Sequence, residues 1–189
     1  MKIYLDAWFW VNYAWGLVNK TGKVKPSIKK LCGIIETKKI EVITSIFLNT
    51  EISAHFRDWY ILQKMLKDGH SYRELAKLKK NYNLNVREEK KVNEILQKIY
   101  KLSWVKLSEL QELDKDSLKV FESLTLQYHM DSIDTLHSII AANADCKFLI
   151  TKDEDMRDKM NLFLDDIKYK DFYVCLPDEF LNKVNQVKP

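Results

Sequence analysis

The sequence predicts an α/β protein built around a parallel β-sheet, and three observations carry that reading. Ile3, Tyr4 and Leu5 are consecutive apolar residues that stop on Asp6, the pattern of a short strand covered on both faces. Lys147-Phe148-Leu149-Ile150 repeats it late in the chain and runs into Thr151-Lys152-Asp153-Glu154-Asp155. Between such runs the 189 residues contain only 4 Gly and 3 Pro, so long Lys-, Glu- and Leu-rich stretches read as helices. An open sheet of this class binds ligands outside the carboxyl ends of its strands. Both runs deliver acids to that position.

Ala7 to Asn19 reads as a helix rich in Trp8, Phe9, Trp10, Tyr13 and Trp15, with Gly22 in the turn that follows. The aromatics suit core packing, with a partner-binding surface as the alternative. Pro26-Ser27 starts a second helix with Ile28, Leu31, Ile34 and Ile35 at helical spacing. Glu41 to Thr44 is a short strand, and Ser45 is placed to cap a helix carrying Phe47, Leu48, Ile52 and Phe56. Glu51 lies almost two turns into that helix. Residues 59–102 remain helical in pattern, broken near Asp68-Gly69 and Asn81 to Asn85. They read as a helical insertion or extension within a single 1–189 domain. Trp104 to Leu107 is a third strand and Ser108 to Tyr128 a helix. Asp131 caps the next helix, which runs to about Ala144, and a short helix begins near Asp155. Phe172 to Cys175 is the last strand before Pro177, and a final helical turn or two follows.

Apolar residues make up 46% of the chain and charged residues 31%, which suits an ordinary globular core and excludes a disordered chain. The net charge of +4 is mild, but its distribution is uneven. Lys64 to Lys106 carries twelve Lys/Arg against five Asp/Glu, a basic arm suited to a polyanion or simply a solvated face. Lys79, Lys80, Lys90 and Lys91 are its candidate polyanion contacts. Cys32, Cys146 and Cys175 are odd in number and lie outside metal-ligand spacing, which fits a reduced cytoplasmic compartment. Asp6 and Asn12 interrupt the first apolar run, so neither a signal peptide nor a membrane span is expected.

Asp6, Glu51, Asp134 and Asp153 fall at strand ends or near the starts of the helices beside them. Each alone has an ordinary explanation as a turn residue, a solvated charge, a helix first-turn acid or a cap. Together in one crevice they repel, at roughly 3 kcal/mol per ionised pair for ~5 Å and an effective dielectric of about 20. Partial protonation or a divalent cation relieves that cost. An all-oxygen donor set favours Mg²⁺ or Mn²⁺ over Zn²⁺, and such an ion can activate water against a phosphodiester.

These residues resemble the PIN-domain family, metal-dependent ribonucleases that include VapC-type toxins. The matching stretches are Ile3-Tyr4-Leu5-Asp6, Ser45 through Glu51, Asp134-Thr135-Leu136-His137 with Ala141-Ala142, and Phe148-Leu149-Ile150-Thr151-Lys152-Asp153. The resemblance implies a three-layer α/β/α sandwich with a central parallel sheet. It places Asp6, Glu51, Asp134 and Asp153 around one or two Mg²⁺ or Mn²⁺ ions as metal ligands and catalytic residues. It implies hydrolysis of single-stranded RNA to 5′-phosphate and 3′-hydroxyl ends. It also brings in the role of a toxin with an antitoxin protein as partner and, with the aromatic first helix, a homodimer. Thr151, Asp155, Ser45 and His137 stand as supporting or substrate-contacting candidates, His137 reading first as a polar tip packed at the sheet edge. The chain departs from the family at Ala7 and Trp8, where Ser or Thr and often Asn follow the first Asp. The middle segment matches no motif.

A haloacid-dehalogenase-type phosphatase needs a second Asp two residues after the first, where this chain has Trp8. A receiver domain needs an acidic pair near the first strand, and none precedes Asp6. The rival of a different class is a non-catalytic module of the same fold that binds RNA or a protein.

Overall fold

The computed structural model describes residues 1–18, 24–108 and 114–186. The expected turn at Gly22 and the first part of the helix expected from Ser108 lie outside them. Strand β1 (Lys2–Leu5) leads through Asp6 into α1 (Ala7–Val18), followed by α2 (Pro26–Thr37), β2 (Glu41–Thr44) and α3 (Ile46–Lys67). Two 3₁₀ turns flank the single helical turn α4 (Leu75–Leu78) before α5 (Val86–Tyr100) and β3 (Val105–Leu107). The chain continues with α6 (Lys115–Leu126), α7 (Ser132–Asn143), β4 (Phe148–Ile150), α8 (Glu154–Asp166), β5 (Tyr173–Cys175) and α9 (Pro177–Gln186). The last helix exceeds the expected turn or two because Phe180, Leu181 and Val184 keep helical spacing and are buried.

The five strands form one all-parallel sheet in the order β3-β2-β1-β4-β5. Because β1 is central, its apolar residues are covered on both sides, and Ile3, Tyr4 and Leu5 have no solvent exposure. Successive strand residues point to opposite faces, and the core divides accordingly. Ile3, Leu5, Val42, Phe148 and Ile150 pack with residues of α1, α2, α3, α5 and α9. Tyr4, Ile43, Leu149 and Val174 pack with α6, α7 and α8. Helices on both faces are compatible with a three-layer arrangement. Among the described residues no helix is long and apolar enough to cross a membrane.

Caps set where these helices begin. The Ser45 hydroxyl accepts from Leu48 N–H, Asp131 from Ile133 N–H and Asp153 from Met156 N–H. Asn85 and Glu88 form a reciprocal capping box on α5. At the other end of α7, Asp145 takes a positive φ of 55°. Cys146 N–H then reaches back to Ala141 O at 3.0 Å, which turns the chain directly into β4.

The first helix is anchored where it leaves the sheet. Trp10 Nε1 donates to Leu5 O at 3.1 Å, and its ring stacks on Trp104. Phe9 and Trp10 are fully buried. Trp8, Tyr13 and Trp15 pack partly against the same core and keep part of their surface exposed.

Candidate functional site

The strand order reverses direction at β1. From β1 the chain steps outward to β2 and β3, then returns to place β4 on the other side of β1. Connections therefore diverge from the carboxyl ends of β1 and β4, the switch point where open α/β sheets form a ligand crevice. Asp6 and Thr151 are the first residues beyond those two ends.

A compact set of bonds joins them. Asp6 N–H donates to Ile150 O at 3.1 Å. The Thr151 hydroxyl donates to Asp6 Oδ2 at 2.7 Å, and Ala7 N–H donates to Asp6 Oδ1 at 2.6 Å. Thr151 Oγ1 in turn accepts Asp153 N–H at 2.9 Å. Burial nevertheless pushes the Asp6 carboxyl above its ordinary range. The bond from Thr151, the nearby His137 and the Ala7 N–H oppose that shift, and Glu51 adds to it.

Asp134 stands in the first turn of α7. Its carboxyl is pushed up from 3.8 to about 6, first by burial and then by the charges of Asp6, Asp131 and Asp153. Asp134 thus lies in the field of Asp6 and Asp153. Asp131, read as a cap, contributes to the same field.

Glu51 is held differently. Its Oε2 lies 2.6 Å from His137 Nε2, and His137 Nδ1 lies 2.7 Å from the Tyr4 hydroxyl. Tyr4 is 2.8 Å from Ser45 Oγ, which accepts Leu48 N–H. Burial holds the Tyr4 phenol protonated far above its usual range. Each of these contacts is a hydrogen bond, and the Glu51 carboxylate accepts from Nε2–H of His137. His137, expected as a packed polar tip, is buried and positions Glu51. Tyr4 is the residue that sequence reasoning missed. Its only signal was a phenol inside an otherwise aliphatic strand.

Among the described residues no group of three or more His, Cys, Asp or Glu side chains is gathered so that it could hold a metal ion. Glu51 is engaged by His137, and Asp153 caps α8. The donor chemistry still suits a hard divalent cation. Asp6, Asp134 and Asp153 are oxygen donors, and burial first, with neighbouring acids adding to it, raises the Asp6 and Asp134 carboxyls, a cost that such a cation relieves. Asp155 is exposed and pairs with Lys159 at 2.6 Å, outside this set.

The basic candidates fall on the α3–α5 arm. Lys79 forms an ion pair with Asp58, and Lys64 pairs with Glu88 at 2.7 Å. Lys80, Lys90 and Lys91 are exposed. No protein-family model matches the chain, and no curated protein matches it.

Proposed function

We propose that this chain is a PIN-like, metal-dependent endoribonuclease with its reaction centre at the β1–β4 switch point. The observation that carries this reading is the placement of Asp6 and Asp153 just beyond the carboxyl ends of β1 and β4, tied together through Thr151, with Asp134 close enough that their charges add to the burial that raises its carboxyl to about 6. Acids crowded at the ligand end of a parallel sheet are costly unless a cation joins them. In this reading Asp6, Glu51, Asp134 and Asp153 are the acids that would hold Mg²⁺ or Mn²⁺. Such an ion supplies Lewis acidity toward a phosphodiester oxygen and lowers the pKa of a bound water.

The chain's own residues do the positioning. Thr151 and the Ala7 N–H fix both oxygens of Asp6, and Thr151 ties that acid to the start of α8 through Asp153 N–H. His137, backed by Tyr4 and Ser45, fixes Glu51. The Ala7 N–H serves Asp6 although a side-chain hydroxyl is missing at this position.

The test is incubation of end-labelled single-stranded RNA with Mn²⁺, Mg²⁺ or a chelator. Metal-dependent products with 5′-phosphate and 3′-hydroxyl ends are expected, and Asp6→Asn should abolish them. RNA that is bound but uncut in every metal would overturn the reading. It would favour a non-catalytic RNA-binding module, for which the engagement of Glu51 by His137 speaks. A toxin role predicts growth arrest on expression, relieved by a small antitoxin protein.

A further inference from the structure

Beside the acid crevice lies a groove of about 680 Å³, lined in part by Trp8, Val11, Trp15, Lys25, Glu51 and His55. It begins next to the reaction centre, because Glu51 and Ala7, the residue after Asp6, both line it. Its volume falls in the range of about 300–1,000 Å³ common for ligand sites. Unlike Phe9 and Trp10 on the same helix, Trp8 and Trp15 remain partly exposed.

Each indole has a polar or aromatic neighbour. Trp15 Nε1 donates to His55 Nε2 at 3.1 Å, and its ring meets Trp59 edge-on at 4.8 Å. The Lys152 ammonium lies 4.9 Å from the Trp8 ring centroid. Lys152 is exposed, sits between Thr151 and Asp153, and has no carboxylate partner among the described residues. Lys25 at the groove is also exposed. Aromatic faces with exposed cations beside them, one of which lies over the Trp8 ring, match an RNA strand, which presents flat bases and anionic phosphates. The acids of the crevice alone would repel such a strand.

We propose that this groove holds a nucleotide adjoining the scissile phosphate of single-stranded RNA, with Trp8 stacking on its base and Lys152 and Lys25 contacting phosphates. The proposal builds on the ribonuclease reading and adds a substrate-binding role for the position where the family pattern is broken.

Fluorescence anisotropy of a short labelled RNA, in chelator and low salt, tests it. A series of RNAs, each lacking one base at successive positions, is bound to the unaltered protein and to Trp8→Ala and Trp8→Phe variants. At one position, loss of the base should weaken binding to the unaltered protein by about 5- to 150-fold. Trp8→Ala should weaken the intact RNA similarly, and removing that base should then cost the variant little more. Trp8→Phe should retain most of the affinity, and Lys152→Gln should flatten the log–log salt slope by about 0.7. A base series that is flat with the unaltered protein would overturn the proposal without reference to any variant, and would leave the groove to a protein partner. Fully additive losses from Trp8→Ala and base removal would overturn it as well. Parallel incubations with Mn²⁺ separate the two claims. Cleavage with a flat base series removes the subsite and keeps the ribonuclease. A position-specific series without cleavage does the reverse.

Discussion

At the switch point Asp6 and Asp134 carry carboxyls that burial pushes upward, and neighbouring acids add to the push. Along the α3–α5 arm the charges lie near the surface, and two are matched within the segment: Lys64 with Glu88 and Lys79 with Asp58. The arm's formal charge is the more conspicuous in the sequence, yet part of it is already balanced by its own acids. Pairs that keep contact with solvent contribute little, about 0–1 kcal/mol when fully exposed. The crevice has less charge but confines it, and confinement makes charge expensive. A charge count therefore identifies the arm as the basic region, whereas burial identifies the crevice as the place where charge is under tension.

The largest difference between the regions should appear in turnover. Asp6→Asn or Asp153→Asn should reduce metal-dependent RNA cleavage to background. A Lys79, Lys80, Lys90 and Lys91→Gln variant should cut bound RNA at nearly the unaltered rate. Single-turnover cleavage at saturating RNA measures both, and equal losses would erase the contrast.

Stability against pH sharpens it further. The Asp134 carboxyl has a folded pKa raised from 3.8 to about 6, so the native state holds this proton more tightly than the unfolded chain. Its stabilising contribution is present below pH 4 and is lost as pH rises through 6. Asp134→Asn should therefore be more stable than the unaltered protein at pH 7, by about 2 kcal/mol after allowance for partial exposure, with convergence near pH 4. Urea unfolding from pH 4 to 7 without metal reads this directly. A constant difference across that range would show that Asp134 is not crowded. With Mn²⁺ at a hundredfold excess over its Kd, the unaltered protein should gain about 2.7 kcal/mol, whereas Asp6→Asn should gain less.

A comparable effect, independent of pH above the carboxylate range, is expected at Thr151. Thr151→Val removes the donor to Asp6 Oδ2 and the acceptor of Asp153 N–H. Leaving buried polar groups unpaired costs about 1–3 kcal/mol, measurable as a lower urea midpoint. A change within about 0.5 kcal/mol, the usual surface value, would mean that the network bears little strain.

The smallest effects belong to the arm. Lys90→Gln or Lys91→Gln should leave stability within about 0.5 kcal/mol. Each should flatten the salt dependence of RNA binding by about 0.7 if its ammonium touches a phosphate. Lys79→Gln should change the slope less, because Asp58 already holds that charge. Identical slopes for all three variants would show that internal pairing does not control availability.

The elements of the fold were legible because each rests on neighbours in sequence. An unbroken apolar run ends at Asp6, Ser45 and Asp131 cap the helices they precede, and Val92, Ile95 and Ile99 repeat at helical spacing and are buried. The acids at the strand ends were legible for the same reason. Their partnerships were not. Thr151 reaches Asp6 across 145 residues, His137 reaches Tyr4 across 133 and Glu51 across 86. Asp153 bonds locally as a cap while its charge acts on Asp134. Local pattern determined which residues begin and end each element. Only the order in which the strands assembled decided which side chains met, because hydrogen bonds and crowded charges depend on distance in space, and the β3-β2-β1-β4-β5 sheet sets those distances.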